Sequence, residues 1–203
     1  MKQKFKGTIL TQRKCVNNIL KVYNSSLNES ISSDWYLDAH NFALKQSKLY
    51  NVPLIKVCGI IASLSPLKSW TENKIIVDLF LSSGKGKHIK AMVNKAKQIL
   101  NCEPDAECIA NILNGNKIIS FFFNIYNPQQ ENFVTIDRHA LSICLYKSIS
   151  EYEGKNITFN QYQFFVNCYR IAGAKLGISA VKVQAITWEI WREQKNAKDE
   201  VPF

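Results

Sequence analysis

The residues best suited to chemistry lie between Ile112 and Ala140. Asn114, Gly115 and Asn116 form a turn signal, and an apolar run of helical length follows. Lys117 is therefore predicted in the first turn of a helix. A loop holding Asn127, Pro128 and several amides leads to Asp137, just ahead of a second periodic apolar segment. An aspartate in that place is a good N-cap, and the positive end of the helix behind it favours the charged form. A lysine and an aspartate held at two neighbouring helix starts can share a reaction. The carboxylate stabilises a developing cation, and the amine can attack as a nucleophile.

Such a pair needs rigid elements to carry it, and the apolar spacing reads as helices almost throughout. Thr8–Tyr23 has helical periodicity, and Asn24–Ser33 is a polar turn. Ser33 or Asp34 caps a second helix carrying Trp35, Tyr36 and Phe42, with Trp35 and Tyr36 placed in the core. Leu54–Leu64 is almost continuously apolar; a buried strand would read the same way. A buried helix is preferred because Gly59 and Ala62 permit close helix packing. Ser65 and Pro66 end it, and Ser69 caps Trp70–Leu81. Gly84 and Gly86 flank Lys85 in a loop. His88–Leu100 places Lys90, Lys95 and Lys97 on its wet sides, and Pro104–Leu113 follows. After the helices behind Lys117 and Asp137, Gly154–Asn156 is a turn. Phe159–Lys175 and Ser179–Glu193 complete the pattern, and the tail after Lys195 is polar. Trp188 and Trp191, three apart, read as packing. No hairpin of strands is expected, and the predicted fold class is all-α.

At 203 residues with 46% hydrophobic composition, the chain can build one domain of two lobes around ample core. Lys and Arg number 26 against 16 acids, a net charge of +10, which points to polyanions, nucleic acid ahead of membrane. No run approaches the roughly 18 apolar residues of a membrane span, and no apolar signal core follows Met1–Gly7. The six cysteines form no Cys-x-x-Cys pair and only three histidines are present, so neither a metal site nor a cofactor is expected. The cysteines read as buried free thiols of a cytoplasmic protein.

Three stretches, in order, resemble the helix-hairpin-helix DNA glycosylase superfamily of the endonuclease III kind. Ile60–Lys74 (Ile-Ile-Ala-Ser-Leu-Ser-Pro-Leu-Lys-Ser-Trp-Thr-Glu-Asn-Lys) is similar to that family's apolar helix, Ser-Ala-Gln turn and Asn-Lys helix. His88–Leu113 resembles its lysine-studded helix leading into the hairpin. Leu113–Lys117 and Thr135–His139 resemble the Leu-Pro-Gly-Val-Gly-x-Lys hairpin and the Val-Asp-Thr-His signature. Lys117 and Asp137, 20 residues apart, fit the family's spacing to within a couple of residues, and placing Lys117 at the catalytic lysine takes a two-residue deletion in the hairpin. The likeness is greatest to small phage-type members. The second hairpin glycine and the iron–sulfur cysteines are absent, and Pro66 stands where relatives push a glutamine into the duplex.

The resemblance implies a bundle of about ten helices in two lobes, residues 54–147 and residues 1–53 with 148–203. It implies a monomeric enzyme acting on DNA, holding the phosphate backbone and a base flipped out of the stack. Cleaving an N-glycosidic bond builds positive charge on the sugar, so Asp137 would be the stabilising carboxylate and Lys117 a Schiff-base nucleophile. Ser65, Trp70, Asn73 and His139 would line the base pocket. Gly115, Asn116, Arg138, Lys85, Lys87, Lys90, Lys95 and Lys97 would hold phosphates. Each has a plainer reading: Asp137 as a cap, Lys117 and the other lysines as solvated charges, His139 and Trp70 as packing. Two rival functions share the scaffold: an enzyme remodelling a hypermodified thymine, and a DNA-binding module without chemistry.

Overall fold

The reading of Thr8–Tyr23 as one helix fails at its start. In the computed structural model, which describes residues 1–25, 34–150, 154 and 157–199, two strands open the chain. These are β1 (Lys2–Phe5) and β2 (Thr8–Thr11), paired antiparallel with Phe5 opposite Thr8. Lys6 and Gly7 turn between them with φ of 46° and 80°. Positive φ at both central residues is what a two-residue hairpin needs to match the strand twist. Lysine at the first position hides the signal, because asparagine or aspartate is the usual residue there. Helix α1 (Gln12–Tyr23) then starts from Thr11, whose side chain accepts from the Lys14 amide.

Among the described residues, nine further helices follow: α2 (Trp35–Tyr50), α3 (Leu54–Leu64), α4 (Trp70–Ser83), α5 (Lys90–Asn101), α6 (Ala106–Leu113), α7 (Asn116–Tyr126), α8 (Arg138–Leu145), α9 (Phe159–Leu176) and α10 (Ala180–Asp199). The protein is all-α apart from the small hairpin. Leu54–Leu64 is a helix, with every residue from Val57 to Leu64 buried. Helix α10 runs on to Asp199 through a polar stretch that contains no glycine or proline. Ser33, most of the Asn24–Ser33 turn, and Lys155–Asn156 lie outside the described residues.

The chain forms two compact units, and their boundaries differ from those read in the sequence. One unit is residues 36–130; the other joins residues 1–35 to 131–203. Two helices account for the difference. The face of α2 carrying Phe42 and Tyr50 meets α4, with Phe42 edge-on to Trp70 and the Tyr50 hydroxyl donating to Asp78. So α2 belongs with residues 54–130. Helix α8 packs against α1 and α10, so it belongs with the chain's two ends.

In the 36–130 unit, α3 is the core, flanked by α4, α5, α6 and α7. A Cβ at Gly59 would come within 2.7 Å of the Ile109 side chain on α6, so the glycine does allow the close packing expected of it. In the other unit α1, α8, α9 and α10 pack together, and Phe5 of the hairpin rests edge-on to Phe165 of α9 at 5.4 Å.

Candidate functional site: a capping carboxylate in an aromatic frame

Asp137 is the N-cap of α8: Oδ1 accepts from the Ala140 amide at 2.8 Å. The second oxygen has a partner from the far end of the chain. Trp188 on α10 donates its indole N–H to Oδ2 at 3.1 Å. The backbone on either side of Asp137 is held by two tyrosines, two turns apart on α9. The Tyr162 hydroxyl donates to the Val134 carbonyl at 2.8 Å and accepts from the Ile136 amide at 3.1 Å. The Tyr169 hydroxyl donates to the Ala140 carbonyl at 3.3 Å. Burial pushes the Tyr169 pKa far up, and the Asp137 charge adds to the shift, so this hydroxyl stays a neutral donor.

Around Trp188 the frame closes with further aromatic and cationic groups. Trp35 lies 5.9 Å from it at a tilt, and His139 sits edge-on at 6.0 Å. The Arg192 guanidinium lies over the indole ring, 4.6 Å from its centroid. Trp35 is thus half-buried in this frame rather than deep in the core, whereas Tyr36 is buried as expected. Arg138, the next residue after Asp137, is exposed. Tyr162, Tyr169 and Trp188 are the residues that sequence reasoning missed. Their helical spacing marks them as core, and nothing local distinguishes an aromatic that also donates to a distant backbone or carboxylate.

The other expected site residues belong to the 36–130 unit, so Lys117 and Asp137 fall in different units. Asn114 and Gly115 reverse the chain between α6 and α7 with φ of 55° and 93°. Gly115 is the N-cap of α7 and brings no side-chain cap, so the helix start is built from backbone amides, a form suited to phosphate. Asn116 and Lys117 are the first two residues of α7, both half-buried.

Lys85, Lys87, Lys90 and Lys97 are exposed. Lys95 is not on a wet side. It shares the inward row of α5 with Ile99, four residues on, and its ammonium donates to the Leu113 carbonyl at the end of α6. There it caps a helix whose last carbonyls lack intrahelical donors.

Three of the four expected pocket residues are tied to the join of α3 and α4. Ser65 Oγ donates to the Ala62 carbonyl and ends α3. Trp70 is half-buried, edge-on to Phe42 at 5.6 Å, with Lys74 Nζ 5.7 Å above its ring. Asn73 is buried, donates to the Ile61 carbonyl at 3.3 Å, and leaves Oδ1 without a partner among the described residues. That amide faces the core, so it does not line an open surface. The turn between the helices holds Leu67, 62% exposed and at φ 63°. Burial, with the nearby Lys68 charge, pushes the His88 pKa down. The six cysteines are free thiols, but Cys102 and Cys108 are only half-buried where full burial was expected.

Fold and site together define an all-α protein in which a helix-capping carboxylate accepts from a local backbone amide and a distant indole N–H. The chain belongs to a family of unknown function (DUF7178), whose model matches residues 1–195. No curated protein and no solved structure matches it. Among the described residues, no helix is long and apolar enough to cross a membrane.

Proposed function

We propose that the chain is a DNA glycosylase-like enzyme that cleaves the N-glycosidic bond of a damaged or modified base, with Asp137 as the carboxylate that stabilises the sugar cation. The observation that carries this reading is the fixed carboxylate itself. It is half-buried at a helix start, oriented by two donors on two oxygens, and followed directly by an exposed arginine. A preoriented anion of this kind stabilises developing positive charge without reorganising at the moment of reaction. The ordered resemblance from Ile60 to His139 supplies the substrate class, and the +10 charge agrees with a polyanionic partner. In this reading the Gly115 turn and the exposed lysines hold phosphates.

The test is release of free base from duplexes carrying uracil, alkylated, oxidised or hypermodified bases. Release by the native chain, lost in Asp137→Asn, is the expected result. Reduction with borohydride on abasic DNA tests Lys117: an adduct that disappears in Lys117→Gln assigns the amine as nucleophile. Unchanged release in that variant assigns water.

One observation favours a second reading, a DNA-binding module without chemistry. Each Asp137 oxygen already has a donor, which is also what a purely structural cap requires. Salt-sensitive DNA binding with no product from any of these substrates would support it.

A further inference from the structure

Two aspartate oxygens with two different donors make a carboxylate with little freedom to turn. The Ala140 amide is local and comes with the helix start. The Trp188 donor comes from α10, 51 residues away, and its presence is not automatic on that helix: Trp191, one turn further on, buries its indole nitrogen with no partner among the described residues. The Trp188 ring is itself held from several sides, by Trp35, by the edge of His139, and by Arg192 at the next turn of α10. A cation over an indole face draws electron density from the ring and makes its N–H a stronger donor. Arg192 therefore acts on the carboxylate through the indole.

We propose that Trp188 is the positioning residue for Asp137, orienting its carboxylate through the indole N–H with Arg192 strengthening that bond. The proposal rests on the reading that Asp137 does chemistry. Its physical content, an indole N–H bonded to the ionised carboxylate, is measurable apart from any reaction. Besides Arg192, the groups near Trp188 and Asp137 that carry or can carry charge include, among the described residues, His139 and Arg138 on α8, the buried Tyr169 on α9, and Glu189, the residue after Trp188 on α10. The first two are cationic or titratable, while Tyr169 stays neutral.

The experiment replaces Trp188 by 3-benzothienylalanine, which keeps the ring shape and exchanges N–H for sulfur, with Trp188→Phe as a second variant. The indole N–H resonances of the four tryptophans are followed by NMR from about pH 7 to about pH 3, a range that spans ordinary carboxylate titration. The Trp188 resonance should move with the carboxylate, and that movement should be absent in Asp137→Asn. In base release, the benzothienyl variant should keep its KM for DNA and lose about 100-fold in kcat, the scale of a small misplacement of a reacting group.

Wild-type kcat in the benzothienyl variant, with Asp137→Asn inactive, would overturn the proposal and leave Trp188 as packing. If the native chain releases no base at all, the glycosylase reading fails by itself. The positioning bond is then judged by the resonance: one that follows the carboxylate upholds it, and one indifferent to pH overturns it.

Discussion

At Asp137 the cap alone would make asparagine a mild substitution, since asparagine caps helices about as well as aspartate. The structure changes that expectation. An amide has one oxygen; if it keeps the bond to the Ala140 amide, its NH2 group opposes the Trp188 N–H, donor against donor. Asp137→Asn should therefore lower stability by about 1–3 kcal/mol, the usual cost of stranding a donor away from water, read from urea unfolding. Adding Trp188→Phe to that variant should recover part of the loss, because the stranded donor is then gone. Strictly additive losses in the double variant would mean that the two side chains do not interact.

Among the elements, α4 shows how a helix start can be made sensitive to pH. Ser69 and Glu72 form a capping box, and Lys68 pairs with Glu72 at 3.3 Å. The Ser69 backbone N–H first, then its hydroxyl, and then Lys68, hold the Glu72 pKa down at about 2, against about 4.5 without those partners. A folded-state pKa below the unfolded value stabilises the fold above the unfolded pKa, and that stabilisation is lost as pH falls toward the folded one. Melting temperature should thus decline between about pH 4.5 and pH 2 partly through this group. Glu72→Gln keeps a residue that can close the box but does not titrate. Its decline over that window should be shallower than the native chain's; an identical profile would remove Glu72 from the acid response. Helix α7 has no such device, because its cap is Gly115 and its start rests on backbone amides.

For the whole molecule the net charge of +10 is the dominant field. If DNA is the partner, log affinity falls with log salt by about 0.9 per phosphate neutralised on duplex. Replacing Lys87, Lys90 and Lys97 with Gln should weaken binding to every sequence alike and flatten that slope. Lys95 belongs to a different class, since its ammonium is engaged at the Leu113 carbonyl. Lys95→Gln should act mainly on stability, leaving the salt slope nearly unchanged. A slope flattened as much by Lys95→Gln as by any of the other three lysines would place Lys95 on the DNA path instead.

What the sequence by itself determined is the local chemistry of helix starts and stops. Asp137 as a cap, the Ser69 start of α4, Lys117 in a first turn and the buried run of α3 are all legible, because each depends on residues within about four positions. The two-residue hairpin at Lys6-Gly7 is equally local but escaped notice, since lysine is an unusual residue for that turn. The tertiary structure decided the rest. Period shows which face of a helix is apolar but not which other helix will cover it. So the membership of α2 and α8 in their units, the engagement of Lys95 at α6, and the Tyr162, Tyr169 and Trp188 grip around Asp137 appear only once helices meet. Trp188 shows the reason most plainly. Its spacing marks it as packing, and it is half-buried among other rings, but its N–H is a directional donor whose acceptor is 51 residues away, and no periodicity encodes a direction.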